Sequence, residues 1–197
     1  DVLVARLIER PGVATADVAG PGFINITLEA ASAGALAKDI VEAGAAYGRN
    51  DSMRDEVINL EFVSANPTGP LHLGHTRWAA LGDSLRRLLQ ANGADVTSEH
   101  YFNDAGAQMD KFGASILAAA RGEQAPDGGY SNPSIDALAV QLDEQSPGWR
   151  DLPTDEAVAI ARTQGAALQI QSIKDTLGAF SVHFDVWFSE KSLHDSG

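Results

Sequence analysis

The pattern of apolar and polar positions predicts a strand, a helix and then a buried strand in the first third of the chain. Residues 22–29 (GFINITLE) have strand composition, and Ser32 is expected to cap an amphipathic helix that Gly48 ends. Residues 57–63 (VINLEFV) are almost continuously apolar, as in a central parallel strand covered on both faces. Residues 1–50 are therefore predicted to form part of a small α/β module that a helix joins to a larger sheet.

Helix and strand alternate after this buried strand. Apolar residues recur at helical spacing at Trp78, Leu81, Leu85 and Leu88. Gly93 ends this helix, and residues 95–102 follow as the next strand. Strand, helix and strand in this order indicate a right-handed βαβ unit. We therefore predict an α/β fold with a doubly wound parallel sheet in residues 51–197.

The rest of the chain predicts two helices, a loop between them and a final strand. Asp104 is in position to cap the first helix, which runs to about Arg121. Its buried stripe is expected to comprise Ala105, Met109, Phe112 and Ile116. Residues 122–136 are turn-rich and predict an exposed loop, Thr154 caps a long helix, and residues 182–188 alternate as a strand does.

The composition is that of a globular protein, because 44% of the 197 residues are apolar and 21% are charged. No run approaches the roughly 18 apolar residues of a membrane span, and Asp1 does not open a secretion signal, so we expect a cytoplasmic protein without membrane contact. The absence of cysteine excludes disulfides and a cysteine zinc site, and we identify no metal-ligating set. The net charge of -13 restricts any RNA contact to a local surface.

Ligands of open α/β sheets bind outside the carboxyl ends of the strands, which selects residues 61–75 and 101–108. The sequence has neither a GxGxxG loop nor a Walker lysine. His72 and His75 instead stand at the start of a predicted helix, where unpaired amides and the helix dipole favour a phosphate. Gly74 between them allows a base or ribose to approach the main chain.

Each of these residues also has a simpler interpretation. The two histidines can be turn residues, one capping the helix and one in solvent, and Glu61 can be a solvated carboxylate at a strand end. Ser64 and Asn66 can be turn formers before a proline. Spacing alone leaves these alternatives open.

Residues 61–93 (EFVSANPTGPLHLGHTRWAALGDSLRRLLQANG) resemble the signature region of arginyl-tRNA synthetases, whose His-x-Gly-His box is the first class I motif. The flanking EFVSANP and Thr-Arg make this extended form more specific than the box alone. Residues 101–113 (YFNDAGAQMDKFG) and 182–197 (VHFDVWFSEKSLHDSG) also resemble that family, so the similarity runs from about Gly22 to the C-terminus. Residues 1–50 resemble the end of its N-terminal, tRNA-contacting domain.

The resemblance implies a role for each matching residue. His72 and His75 would bind the ATP phosphates and stabilise the charge that builds on the α-phosphoryl group, and Gly74 would lie under the adenosine. The arginine-binding residues would be Glu61, Ser64, Asn66, Asn103, Asp104 and Gln108. Within this set Glu61 would face the guanidinium, because a carboxylate accepts that planar group in bidentate fashion.

The implied function is activation of arginine by ATP, with Mg²⁺, and transfer to tRNA(Arg) by a monomeric enzyme. Residues 51–197 would form the first half of the Rossmann-like catalytic domain, with an insertion. The family's second, lysine-rich signature does not occur in the chain. We therefore expect an incomplete catalytic fragment that binds ATP weakly and does not aminoacylate.

Two other functions are compatible with the motif. A His-x-Gly-His box also serves nucleotidyltransferases that transfer an adenylyl group, although the long preceding module and the EFVSANP lead argue against this function. A non-catalytic paralogue could use the same fold to bind tRNA, although retention of both histidines, Gly74 and Glu61 argues against it.

Overall fold

A computed structural model describes residues 2–195, without the side chains of residues 33, 194 and 195. The chain divides into two compact units, Asp1–Asn50 and Asp51–Gly197. The helices are α1 Val2–Ile8, α2 Ala30–Ala43, α3 Leu73–Ala91, α4 Gly106–Arg121, α5 Pro133–Gln145, α6 Thr154–Ala179 and α7 Lys191–Asp195. The strands are β1 Val13–Ala19, β2 Phe23–Leu28, β3 Val57–Glu61, β4 Asp95–Phe102 and β5 Val186–Ser189.

The first unit is an antiparallel β1–β2 hairpin with the helices α1 and α2. The strand predicted near residue 22 is confirmed as β2. The predicted helix cap is wrong, because α2 begins at Ala30 and the Ser32 hydroxyl donates to the carbonyl of Gly12 at 3.2 Å. The predicted helix end is also wrong. Gly44, with φ 51°, ends α2 before Gly48 is reached.

The second unit contains a parallel sheet in the order β3-β4-β5. The predicted parallel α/β fold is confirmed, and the prediction for residues 95–102 has the bounds of β4. The prediction that β3 is central is wrong: β4 lies in the middle, and β3 pairs with β4 alone among the described residues. Val57 at the start of β3 is 82% exposed, since its side chain has no covering layer.

Helix α3 packs on the sheet through its small residues. Ala79 is fully buried in a cluster with Ile173 and Leu177 of α6. The predicted apolar stripe is correct as a helix pattern, but it is exposed along Trp78, Leu81, Leu85 and Leu88. A second core of α4, α5 and α6 encloses Phe112 and Trp149.

The predicted caps of the two later helices are wrong. Helix α4 begins after Ala105, and its N-terminus has no side-chain cap, because Asp104 binds elsewhere. Thr154 is the first residue of α6 rather than its cap. Helix α5 starts inside the predicted loop, and β5 is shorter than predicted. Along the described residues, no helix has both the length and the apolar composition to cross a membrane.

Candidate nucleotide and amino-acid site

The site is built on the loop between β3 and α3, which leaves the carboxyl end of the sheet. Val63 and Ser64 both have left-handed φ angles, 67° and 43°. Such angles are rare for a β-branched residue and require support from the surroundings. The amide of Tyr101 in β4 supplies part of it by donating to the Ser64 hydroxyl oxygen at 3.3 Å.

His72 and His75 form the N-terminal cap of α3. The Nδ1 atom of His72 accepts the Gly74 amide at 3.1 Å, and the Nδ1 atom of His75 accepts the His72 amide at 3.1 Å. The two rings lie 3.8 Å apart, centroid to centroid. A Cβ on Gly74 would lie 2.9 Å from Cε1 of His72, so only glycine fits beneath that ring without displacing it.

This cap determines what the imidazoles can offer a ligand. Because both Nδ1 atoms accept main-chain amides, each neutral ring carries its proton on Nε2. Burial, and then the charge of His72, lower the pKa of His75, which keeps that ring neutral near pH 7. Two Nε2–H donors therefore remain for an anion at a helix N-terminus that already favours one.

A cavity of about 310 Å³ brings four of the predicted site residues together. Its polar lining includes Ser64, Asn66, His72 and His75. The rest of the wall is formed by Ala65, Thr68, Gly69 and Pro70, for which the sequence predicted no role. The cavity therefore joins the capping histidines to the strained loop.

Asn66 connects this cavity to the start of α4. Its Oδ1 accepts the amide of Asn103 at 3.1 Å, and its Nδ2 donates to Oε1 of Gln108 at 3.0 Å. The Ser64 hydroxyl donates to the Glu61 carboxylate at 2.6 Å. Five predicted arginine-binding residues thus belong to two short hydrogen-bonded chains.

Five predicted residues lie outside the lining of the cavity. Two of them, Asn103 and Gln108, are linked to it through their hydrogen bonds with Asn66. Asp104 accepts the Ser189 hydroxyl at 2.7 Å and the Lys191 amide at 3.0 Å, so it joins the end of β4 to the end of β5. Glu61 lines a neighbouring groove of about 390 Å³ that shares Ser64 with the cavity. Gly74 lines a different hollow on α3, together with Leu73, Thr76, Arg77 and Ala80.

Tyr101 and His100 lie beside the site, and the sequence predicted no role for either, although Tyr101 belongs to the segment 101–108 selected above. A hydrogen bond to Glu190, then burial and the charges of nearby carboxylates, raise the pKa of Tyr101. His100 is fully buried under the loop. The alternation of β4, in which Ser98, His100 and Phe102 share the buried face, was the available signal. No group of three or more His, Asp or Glu side chains in the described residues is placed to hold a metal ion.

Comparison with known proteins identifies the family. Residues 37–171 match the family described as tRNA synthetases class I (R), catalytic domain. The chain is 57% identical over 196 residues to an arginine–tRNA ligase of Micrococcus luteus, and 56% identical over 197 residues to one of Renibacterium salmoninarum. These alignments cover 100% of the chain and 35% and 36% of the relatives. The chain thus spans about a third of the length of the curated relatives it matches.

Solved structures agree with this match. A Campylobacter jejuni structure assigned to the arginyl-tRNA synthetases superimposes with a TM-score of 0.73 at 30% identity, over 82% of this chain and 36% of that one. Thermus thermophilus arginyl-tRNA synthetase shares the fold, with a TM-score of 0.59 at 24% identity over 96% of this chain and 31% of that one. The chain therefore belongs to the class I arginyl-tRNA synthetase family.

Proposed function

We propose that this chain supplies the ATP-phosphate site and part of the arginine site of an enzyme that joins arginine to tRNA(Arg). The observation that carries the proposal is the double cap of α3, in which both Nδ1 atoms of His72 and His75 are engaged by amides. That arrangement supports a specific task for their remaining Nε2–H groups. They would donate to phosphoryl oxygens of ATP.

In the activation step, a carboxylate oxygen of arginine attacks the α-phosphorus and pyrophosphate leaves. Negative charge builds on the α-phosphoryl oxygens in the transition state. Two Nε2–H donors beside a helix N-terminus would stabilise that charge more than the charge of the ground state. Mg²⁺ would arrive with the triphosphate, because it retains waters and phosphate ligands more readily than it enters an all-protein cage.

Arginine would lie against the loop side of the cavity. Ser64 and Asn66 would orient its α-amino and carboxylate groups, and Glu61 would accept its guanidinium from the adjoining groove. Asn103 and Gln108 would hold Asn66 in place, through the contacts described above. Gly74 would lie under the adenosine. We propose that Asp104 supports the sheet and does not contact arginine.

Residues 1–50 are proposed to form part of the tRNA-contacting domain. The acidic net charge of -13 supports a local contact with tRNA rather than a surface that covers it. We propose that the enzyme acts as a monomer in the cytoplasm.

A chimera tests the proposed activity. This chain replaces the segment that it matches in the Micrococcus luteus ligase, and ATP–pyrophosphate exchange is measured with tRNA(Arg) present. We expect exchange that depends on arginine. Exchange that instead requires a nucleotide monophosphate would support a nucleotidyltransferase, and a folded chimera without exchange would count against the proposal.

His75→Asn tests the histidine mechanism in the same chimera. Asparagine places an oxygen near the position of Nδ1, so it can still accept the His72 amide, but it has no donor at the position of Nε2. We expect the exchange rate to fall by about 100-fold, as when one transition-state donor is removed. His75→Gln, which retains a donor there, serves as the matched control. Equal rates in the Asn variant and the parent would remove His75 from the mechanism.

A further inference from the structure

His100 occupies a fully buried position behind the loop that follows β3. Its ring stacks on Trp187, with centroids 4.4 Å apart and planes inclined by 19°, and meets Phe184 edge-on at 5.3 Å. Its Nε2 accepts the main-chain amide of Ala65 at 3.5 Å, whereas its Nδ1 has no hydrogen-bond partner among the described residues. A phenylalanine would fill the same aromatic packing without a buried unpaired atom. Packing alone therefore does not explain an imidazole here.

The loop held by this contact is the strained part of the site. Ala65 directly follows Val63 and Ser64, whose φ angles are both left-handed. Phe62, on the other side of these two residues, packs against Phe184 with ring centroids 4.4 Å apart. Both ends of the strained pair are thus in contact with one aromatic cluster, in which His100 is buried and Phe184 and Trp187 are partly buried. A conformation of this kind persists only where the surroundings over-determine it.

We propose that His100 is a positioning residue: by accepting the Ala65 amide it holds the strained loop and so fixes the side chains that orient arginine. The identity of the ligand rests on the function proposed above. The contact between His100 and the loop does not. Ser64 and Asn66, on either side of Ala65, are the side chains that this contact places.

The protonation state of His100 supports this role. Burial lowers its pKa to about 4, and His75, Glu61 and Lys174 are the titratable groups that act on it. The ring is therefore neutral at pH 7, with a lone pair on Nε2 available to the amide. A protonated ring would instead direct an N–H at the Ala65 N–H.

Two substitutions separate positioning from packing. His100→Phe retains the aromatic packing but removes the acceptor. His100→Gln can place an oxygen near the position of Nε2 but loses the ring. The arginine KM and kcat are measured in the Micrococcus luteus chimera, and amide hydrogen exchange of Ala65 and thermal unfolding are measured in the chain itself.

We expect His100→Phe to unfold at no lower temperature than the parent and to lose protection of the Ala65 amide. The arginine KM should rise about three- to tenfold, which corresponds to the loss of one hydrogen bond. His100→Gln should be less stable but should keep the KM within about twofold of the parent. An unchanged KM and unchanged Ala65 protection in His100→Phe would overturn the proposal. If the parent chimera has no arginine-dependent activity, the proposed function fails. The positioning role is then tested by hydrogen exchange alone: loss of Ala65 protection in His100→Phe but not in His100→Gln supports it, and any other result contradicts it.

Discussion

At the scale of single residues, His72 and His75 each use one ring nitrogen for the helix and leave the other for a ligand. The two alternatives that the sequence left open are therefore not exclusive. His72 caps α3, as the simpler interpretation holds, and His75 completes that cap instead of standing in solvent. A helix N-terminus gains stability from the cap, while the same geometry orients the donors.

Replacing His72 with asparagine should separate these two effects. Asparagine is among the best N-cap residues, so we expect the free energy of unfolding to change by less than about 0.5 kcal/mol. The ATP affinity should fall roughly tenfold or more, because a donor to a charged phosphate is lost. Thermal unfolding of the chain and the ATP KM of the chimera measure the two quantities. His72→Ala, which removes cap and donor together, should also lose about 1 kcal/mol of stability. A normal ATP affinity in His72→Asn would contradict the proposal that His72 donates to ATP.

The buried His100 predicts a pH dependence of stability with a definite sign. Its folded-state pKa of about 4 lies below the value of 6.5 that an exposed histidine has. Between these values the unfolded chain binds more protons, so the stabilising contribution is complete above pH 6.5 and is lost as the pH falls towards 4. Urea unfolding at pH 7 and pH 5 should show a smaller loss of stability in His100→Phe than in the parent. Equal losses would show that His100 does not titrate in this way.

At the scale of elements, local sequence predicts structure well where the pattern of a single element decides it. The strand β4 has the predicted bounds because buried and exposed side chains alternate regularly along it. Helix α5 was missed although Asn132 and Pro133 provide an N-cap and a first-turn proline inside the loop segment. That signal was local and available.

Two of the three wrong caps have a different cause, since a distant partner decided each of these two. Ser32 bonds to Gly12, and Asp104 bonds to Ser189 and Lys191. The motif located the two histidines that line the candidate cavity, because they are close together in the sequence. The packing of His100 depends instead on Trp187 and Phe184, which lie far along the chain. Such pairings are not visible to local patterns.

The packing of α4 on α6 depends on a close approach at Gly113. A Cβ on this residue would lie 2.8 Å from the carbonyl oxygen of Val158 and 3.0 Å from the Cβ of Arg162. We expect Gly113→Ala to destabilise the chain by about 1–3 kcal/mol, because two helix backbones must separate. Gly178→Ala in α6 is the control, since its Cβ would meet only His183 at 3.9 Å. It should be neutral or stabilising by up to about 1 kcal/mol, and equal effects on urea unfolding would contradict the packing argument.

At the scale of the whole molecule, the acidic net charge is combined with exposed apolar surface on one helix. The net charge of -13 opposes self-association, but α3 presents an uncovered row of large apolar side chains. The sequence correctly predicted that α3 has an apolar stripe. It could not predict that the other described residues would pack against a different face of the helix. Small residues such as Ala79 form the covered face instead.

This uncovered row predicts that polar substitutions there cost little stability. Leu81 and Leu88 are 64% and 62% exposed, whereas Leu142 in the helical core is fully buried. Replacing both exposed leucines with glutamine should change the free energy of unfolding by less than about 1 kcal/mol and should reduce the fluorescence of bound ANS. Leu142→Gln, the buried control, should cost about 3–5 kcal/mol, since it leaves a cavity and an unpaired amide. If the double variant were as destabilised as Leu142→Gln, the row of large apolar side chains on α3 would be covered in solution rather than exposed.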